Sequence, residues 1–314
     1  MISFEDFCAS IVSDFSLDQL RDAFKVNVEN YRVKRKIFLK TEAQKMAYLL
    51  SRMPATYSVL KNILSSVKPL LLEKKFDSVL DFGSGIGSSF FALKDIYPSL
   101  QDFLFIEKDR DLRIFGKRFL PKIEGINFQW NDNLLPNQIG KDILLLSYVI
   151  NELNFSCLEK IITTWIEDSK AKVLIIVEPG TTYGFEKILF VRELLVKNKI
   201  NLVAPCSHIN PCPLNKEKKW CHFSQRVQRS EMHRLVKLAK KGYEDEKYSY
   251  LIATKQDFNP YQARVIDRPL KRSGHITFSL CSNFGLKKEI VSKKDFTLYS
   301  KAKKMKWGDI WNYF

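Results

Sequence analysis

The chain has 314 residues, 45% hydrophobic and 13% aromatic, which is too apolar for a disordered protein and enough for a substantial core in one large domain or two modest ones. Its 51 Lys and Arg against 35 Asp and Glu give a formal net charge of +16, which points to a polyanionic partner, nucleic acid first. The excess is uneven: residues 201–314 carry 23 basic and 10 acidic residues, a net of +13, while residues 1–200 stand at +3. No apolar run approaches the ~20 residues that span a bilayer, so no membrane partner is expected. The opening MISFEDFCASIVSDF is neither a secretory signal nor an Arg-rich transit peptide. A cytoplasmic chain is therefore expected, and in that compartment its six Cys suit free, catalytic or metal-bound roles better than disulfides.

Residues 1–75 read as a helical region. Phe4, Phe7, Ile11 and Phe15 form one apolar stripe, and Ser16 is a candidate N-cap for a helix ending in the basic cluster Arg32 to Lys36. Ala43 to Arg52 predicts a further helix, with Pro54 opening another apolar run, Ala55 to Leu72. From residue 76 the pattern alternates. FDSVLDF, DFLFIE, GINFQW, DILLLSYVI and KVLIIVE read as strands, separated by helices near 87–96, 110–120, 157–168 and 185–198. Such alternation predicts an α/β, doubly wound, Rossmann-like core.

Residues 199–224 show neither helical nor strand period. A helix is expected from about Gln225 to Lys241, a strand at Lys247 to Thr254, and two strands over 274–292 joined near Asn283–Gly285. The division is thus 1–75 helical, 76–204 Rossmann-like core, and 205–314 a basic, Cys-rich extension with β structure.

The sharpest early motif is VLDFGSGIGSS at 79–89, at a strand-to-helix turn. Gly83, Gly85 and Gly87 permit a tight turn and close ligand approach, and the helix N-terminus behind them offers free N–H groups. Asp81 lies before the glycines, Glu107 closes the next strand, and Asp132 follows the third. That layout resembles the class I S-adenosylmethionine-dependent methyltransferases. The resemblance implies that Asp81 accepts a cationic amino group, Glu107 a ribose diol and Asp132 an adenine amino group, with Gly83, Gly85 and Gly87 forming the loop. A nicotinamide site and a fold without cofactor are the alternatives. No catalytic residue is assigned: SYVINEL at 147–153 lacks the proline of amino-group methylases, Pro205–Cys206 and Pro211–Cys212 lie beyond the fifth strand, and Cys157 reads as a small core residue in a helix.

Cys206, Cys212 and Cys221 are spaced C-x5-C-x8-C, and Cys281 follows on a later strand. Four thiols suit a tetrahedral zinc or a four-iron cluster; His208 and His222 are alternative ligands in a Cys3His set. The segments APCSHINPCPL, KWCHFSQRVQR, YEDEKYSYLIATK, RPLKRSGHITFSLCSNFG and VSKKDFTLYSKAKKMKWGDIW, with SYVINEL and VEPGTTYGF upstream, resemble the methyltransferase-like small-ribosomal-subunit protein family of mitochondria and bacteria.

That resemblance covers residues 40–314. It implies a [4Fe–4S] cluster on Cys206, Cys212, Cys221 and Cys281, with zinc as the alternative. It further implies binding to the small ribosomal subunit and its rRNA during assembly, as a monomer away from the ribosome, either with or without rRNA methylation. Lacking a transit peptide, the chain reads as a bacterial-type member. Lys216, Lys218, Lys219, Arg226, Arg229, Arg264, Arg268, Lys271 and Arg272, interleaved with Trp220, Phe223 and Tyr261, are the expected RNA-facing set. The alternative function is methylation of a protein or small molecule, with a structural zinc.

Overall fold

A computed structural model describes residues 15–34, 39–72, 75–120, 123–135, 138–216 and 219–313; the expected stripe at Phe4, Phe7 and Ile11 lies outside these. Helix α1 (Leu17–Lys34) starts at a reciprocal cap. The Gln19 amide donates to Ser16 Oγ (3.3 Å) and the Ser16 amide to Gln19 Oε1 (2.9 Å), so two otherwise orphaned donors are satisfied. Thr41 and Gln44 cap α2 (Glu42–Val67) in the same way.

The expected break at Pro54 does not occur: α2 runs through it for 26 residues. A proline inside a helix costs roughly 3 kcal/mol. Here Leu49, Leu50 and Met53 are buried before it and Val59, Leu60 and Ile63 after it, each contributing roughly 1.5–3 kcal/mol. Continuous burial on both sides outweighs the lost backbone bond.

Five parallel strands form the centre: β1 (Ser78–Phe82), β2 (Asp102–Ile106), β3 (Asn127–Asn131), β4 (Ile143–Ser147) and β5 (Val173–Pro179). Their order is β3-β2-β1-β4-β5, with the order reversing between β1 and β4. Helices cover both faces, as the unbroken apolar runs require. Val79, Phe103, Leu145 and Ile175 pack with α2 and α3 (Ser89–Ile96). Leu80, Leu104, Leu144 and Ile176 face α5 (Phe155–Glu167) and α6 (Thr182–Lys197). Helix α4 (Arg110–Phe119) joins β2 to β3.

Beyond β5 the sheet continues with an antiparallel strand, β8 (Tyr243–Thr254), and then β6 (Asn201–Ala204); β7 (Phe223–Gln228) pairs the other half of β8. The 204/205 boundary drawn from the sequence therefore cuts across this sheet. The helix expected over 225–241 is also replaced: β7 occupies its start, and only α8 (Glu231–Val236) is helical. Phe223 and Val227 are four apart and both buried, a spacing that fits a helix face and alternate strand positions equally. Pairing with β8, reinforced by Arg226–Asp245 at 2.9 Å, decides for the strand.

A second, antiparallel sheet has the order β10-β11-β9-β13, with β12 on the far side of β11. Its strands are β9 (Ala263–Val265), β10 (Leu270–Lys271), β11 (His275–Ser282), β12 (Gly285–Ser292) and β13 (Ile310–Trp311). The turn expected near Asn283–Gly285 is where β11 meets β12, with Ser282 opposite Gly285. Phe278, Leu280 and Trp311 form its own small core, beside α9 (Phe296–Ala302).

Candidate functional site

A cleft of about 850 Å³ opens at the C-terminal ends of β1, β2 and β4, at the switch in strand order where ligands of open α/β sheets lie. The glycine loop forms its floor. The Gly83 and Ser84 amides both donate to the Ile106 carbonyl (2.8 and 3.1 Å), tying the loop to β2. Gly83 has φ +72°, and a Cβ there would sit 2.3 Å from Val149 Cγ2, whereas Gly85, at φ +56°, has open space where its Cβ would be. Gly87 is not in the cleft wall; a Cβ on it would meet Leu120 Cδ1 at 2.8 Å, so its constraint is packing.

The acids divide by depth. Asp81 is 2% exposed. Its Oδ2 accepts from Ser89 Oγ, and its Oδ1 is buried without a partner. Burial pushes its carboxyl up to about 7, against the Ser89 bond and with added repulsion from Glu107. Glu107 accepts from the Gly85 amide (2.9 Å) and the Asp109 amide (2.8 Å); burial outweighs these bonds and raises its pKa. Asp132 is exposed at the rim. Asp81, Gly83, Gly85, Glu107 and Asp132 thus share one cleft.

Two residues that shape the cleft, Tyr148 in its wall and Glu178 behind it, went unassigned in the sequence. Tyr148 follows β4 with φ 59°, a conformation rare for a bulky residue. Its hydroxyl is buried and unpartnered, and its ring lies 5.7 Å from the Arg52 guanidinium, which is held by Glu246 at 2.9 and 3.3 Å. Glu178, at the end of β5, is wholly buried and accepts from the Ile150 amide (2.7 Å); burial pushes it up to about 8. It clamps the turn that carries the cleft wall. Both residues stand in the motifs SYVINEL and VEPGTTYGF, and the backbone outlier and buried carboxyl become visible only in three dimensions. Cys157, expected in the core, is exposed and lines the cleft, because α5 buries Leu158, Ile161, Ile162 and Trp165 instead.

Cys206, Cys212, Cys221 and Cys281 line one small cavity of about 30 Å³ together with His208. They come from four places: after β6, before α7 (Pro213–Lys216), before β7, and on β11. Side chains pin the loop to its neighbours. Ser249 Oγ donates to the Cys221 carbonyl (2.7 Å), Tyr261 Oη to the Pro205 carbonyl (2.6 Å) and Asn210 Nδ2 to the Asn283 carbonyl (2.9 Å). Burial, then the neighbouring thiols, pushes Cys221 well up and Cys281 up to about 12. His208 Nε2 lies 3.5 Å from Cys281 Sγ, and its Nδ1 is buried without a partner.

His222 is not part of the cavity; it stacks on Trp220 at 5.1 Å. Among the described residues no group of three or more His, Cys, Asp or Glu is arranged ready to hold a metal ion. The donor chemistry nevertheless suits a soft metal: four thiols, an orphaned imidazole nitrogen and no carboxylate line this cavity.

The expected RNA-facing set is only partly on the surface. Arg264, Phe223 and Tyr261 are buried and belong to the interior, and Arg229 is half-buried and held by Glu244 at 2.7 Å. Arg268, Lys271 and Arg272 are exposed, as are Lys219 and Arg226, the latter paired with Asp245. The side chains of Lys216 and Lys218 lie outside the described set.

Sheet order, glycine loop and cleft define a methyltransferase-like α/β protein. Residues 42–312 match the family model Rsm22, described as mitochondrial small ribosomal subunit Rsm22, and the chain belongs to that family. It is 24% identical over 297 residues to the human mitochondrial ribosome assembly protein METTL17, covering 86% of this chain and 63% of that protein. It is also 24% identical over 336 residues to the mitochondrial Rsm22-cox11 tandem protein 2 of Schizosaccharomyces pombe, covering 86% of this chain and 43% of that one. The chain therefore spans less than two thirds of the length of these curated relatives. Similar solved structures include precorrin-6y C5,15-methyltransferase from Geobacter metallireducens, 14% identical with a TM-score of 0.41 over 63% of this chain and 88% of that one. Another is magnesium protoporphyrin IX methyltransferase from Synechocystis with bound SAH, 12% identical with a TM-score of 0.39 over 76% and 99%.

The relatives correct one expectation. The reading as a cytoplasmic, bacterial-type chain is overturned, because the matching family and these relatives are mitochondrial by name. An opening segment poor in arginine does not decide location.

Proposed function

We propose that this chain is a small-ribosomal-subunit assembly protein that binds S-adenosylmethionine in the glycine cleft, holds a [4Fe–4S] cluster on Cys206, Cys212, Cys221 and Cys281, and contacts rRNA through its basic C-terminal part. The observation that carries the cofactor reading is the unpartnered, buried Oδ1 of Asp81 in the same cleft as the open face of Gly85 and the carboxylate of Glu107. Asp81 would accept the ammonium of the methionine moiety, Glu107 the ribose hydroxyls and Asp132, at the rim, the adenine amino group. When bound, the cofactor supplies an activated methyl group; the protein's part is to hold and orient it. The cluster would order a loop that has little regular structure of its own.

The relatives named for the small subunit and for ribosome assembly support the choice of partner, as does a net charge of +13 over residues 201–314. The test has three arms: calorimetry with S-adenosylmethionine, iron and sulfide content after anaerobic purification, and sedimentation with immature small subunits. Binding at micromolar affinity, about four irons per chain and co-sedimentation are expected. Zinc at one equivalent without iron would replace the cluster by the zinc alternative. Absence of cofactor binding would leave the cleft without its ligand. A map of rRNA methylation in a deletion strain separates the two uses of the cleft. Loss of one mark indicates an enzyme; precursor subunits with every mark intact indicate an assembly factor.

A further inference from the structure

Two buried arginines adjoin the four-cysteine cavity: Arg192 lines it, and Arg264 holds the Pro205 carbonyl next to Cys206. Arg192, on α6, is 4% exposed. Its Nε lies 3.3 Å from Cys206 Sγ, and its Nη2 donates to the carbonyls of His208 (3.1 Å) and Asn210 (2.6 Å). Arg264, on β9, is 1% exposed. It donates to the carbonyls of Pro205 (3.2 Å) and Gly308 (2.9 Å) and to Tyr261 Oη (2.8 Å). Across the β9–β11 pair it stands directly opposite Cys281, where side chains project to the same face.

Among the described residues neither guanidinium has a carboxylate partner; every polar contact is to a carbonyl, a hydroxyl or a sulfur. A cation taken out of water and given only neutral dipoles is poorly compensated. Arginine is always charged, so neither residue can escape that cost by losing a proton. Both hold carbonyls that flank the cysteines: Pro205 precedes Cys206, and His208 and Asn210 lie between Cys206 and Cys212. Their placement makes sense if the cavity itself carries negative charge.

We infer that Arg192 and Arg264 are positioning residues that supply the counter-charge for a dianionic four-thiolate group in this cavity. Four thiolates around either a Zn²⁺ ion or a [4Fe–4S]²⁺ core leave a net dianion, and two guanidinium cations match it in number. A Cys3His set would leave a monoanion, so the pair favours Cys206, Cys212, Cys221 and Cys281 as ligands over a set that includes His208. The inference rests on the four-cysteine reading proposed above and adds to it the charge of the group and the residues that balance it.

The test uses the full chain in metal-stripped form and loaded with Fe²⁺ and sulfide, or with Zn²⁺ alone. The variants are Arg192→Gln and Arg264→Gln, with Arg192→Lys and Arg264→Lys as charge-keeping controls. Gln can retain a carbonyl contact while removing the charge. In stripped protein each Gln variant should melt no lower than the parent, because an uncompensated cation is gone. In loaded protein it should melt lower and release metal to excess EDTA about tenfold faster, the usual scale of outer-shell effects. The Lys variants should hold metal better than the Gln variants, and an iron-loaded Gln variant should have a more negative reduction potential. Equal melting losses in stripped and loaded forms, with unchanged metal release, would overturn the counter-charge role and leave the arginines as carbonyl caps. Retention of metal by Cys281→Ser but not by His208→Ala would overturn the charge match. A parent chain that takes up neither metal would overturn the four-cysteine reading itself, and the arginine role with it.

Discussion

The amide of Gly85 donates to the carboxylate of Glu107 across 2.9 Å. The glycine loop after β1 and the acid after β2 are therefore one unit. The other oxygen of Glu107 takes the Asp109 amide at 2.8 Å, so the carboxylate organises two loops while facing the cleft. A carboxylate can accept at both oxygens, which an amide cannot. Glu107→Gln should consequently weaken S-adenosylmethionine at least about tenfold, or 1.4 kcal/mol, and also lower stability by about 1 kcal/mol. Calorimetry and urea unfolding measure the two effects.

The two glycines at the cleft floor should respond to different degrees and for different reasons. A methyl at Gly85 meets nothing in the protein, so Gly85→Ala should cost only the left-handed strain, about 1–2 kcal/mol, while intruding on ligand space and lowering cofactor affinity. A methyl at Gly83 would collide with Val149 and displace the turn clamped by Glu178. Gly83→Ala should therefore cost about 3 kcal/mol or more. Denaturant midpoints that ranked the two variants in the reverse order would contradict this assignment.

Asp81 predicts a pH dependence of fixed sign. Its carboxyl rises from 3.8 to about 7 on burial, so between those values the folded chain holds a proton that the unfolded chain has released. Stability from this group is present below the unfolded value and is lost as pH rises through about 7. Asp81→Asn cannot ionise, and ligand-free it should exceed the parent at pH 8 by roughly 1–3 kcal/mol, with the gap closing near pH 4. Binding a cationic ammonium requires the anion. Parent affinity for S-adenosylmethionine should then fall as pH drops below 7, while Asp81→Asn binds weakly and with a flat profile. Titration calorimetry across pH tests both.

Glu244 predicts acid sensitivity. It accepts from Lys237 (2.6 Å) and Arg229 (2.7 Å) and lies 3.5 Å from His233 Nε2, joining α8 to β8. Burial works against its ionised form, but the Lys237 and Arg229 bonds prevail and hold its pKa below the usual range. A depressed acid stabilises above its unfolded value, and that contribution is lost as pH falls through the folded one. Glu244→Gln should cost about 2 kcal/mol at neutral pH, with the difference narrowing in acid. His233, pushed down to about 4 by burial, should charge in the same acid range and deepen the loss. Thermal melts of both proteins across pH check the convergence.

The surface basic residues can be separated from the buried ones by salt. Arg268, Arg272 and Lys288 are exposed on or beside the second sheet. If each meets a phosphate, replacing all three by Glu should weaken small-subunit binding and flatten its log–log salt dependence by roughly two to three units. Melting temperature should stay unchanged, because none belongs to the core. Filter binding over a salt series measures the slope; an unaltered slope would remove this face from the RNA contact.

Much of the architecture was legible in the residues alone. Strands buried on both faces, such as ILLLS in β4 and VLIIV in β5, must be near-continuous apolar runs, and VLDFGSGIGSS announces a tight strand-to-helix turn. The hairpin at Asn283–Gly285 and the clustering of Cys206, Cys212 and Cys221 are likewise local facts of composition and spacing. What remained ambiguous depends on partners distant in sequence. Phe223 and Val227 fit a helix or a strand until β8 pairs with them, and Pro54 breaks a helix only where burial does not hold both sides.

Charge shows the division most clearly. Composition alone established the basic C-terminal part, from which a polyanionic partner is expected. Which of its cations face outward was decided by strand register and packing. Arg268 and Arg272 are exposed, whereas the β9–β11 register sets Arg264 opposite Cys281 and α6 carries Arg192 to Cys206. A guanidinium has the same charge in either place, but water compensates it at the surface. In the interior that compensation must come from neighbouring groups, and only the tertiary structure brings both arginines beside the cysteines.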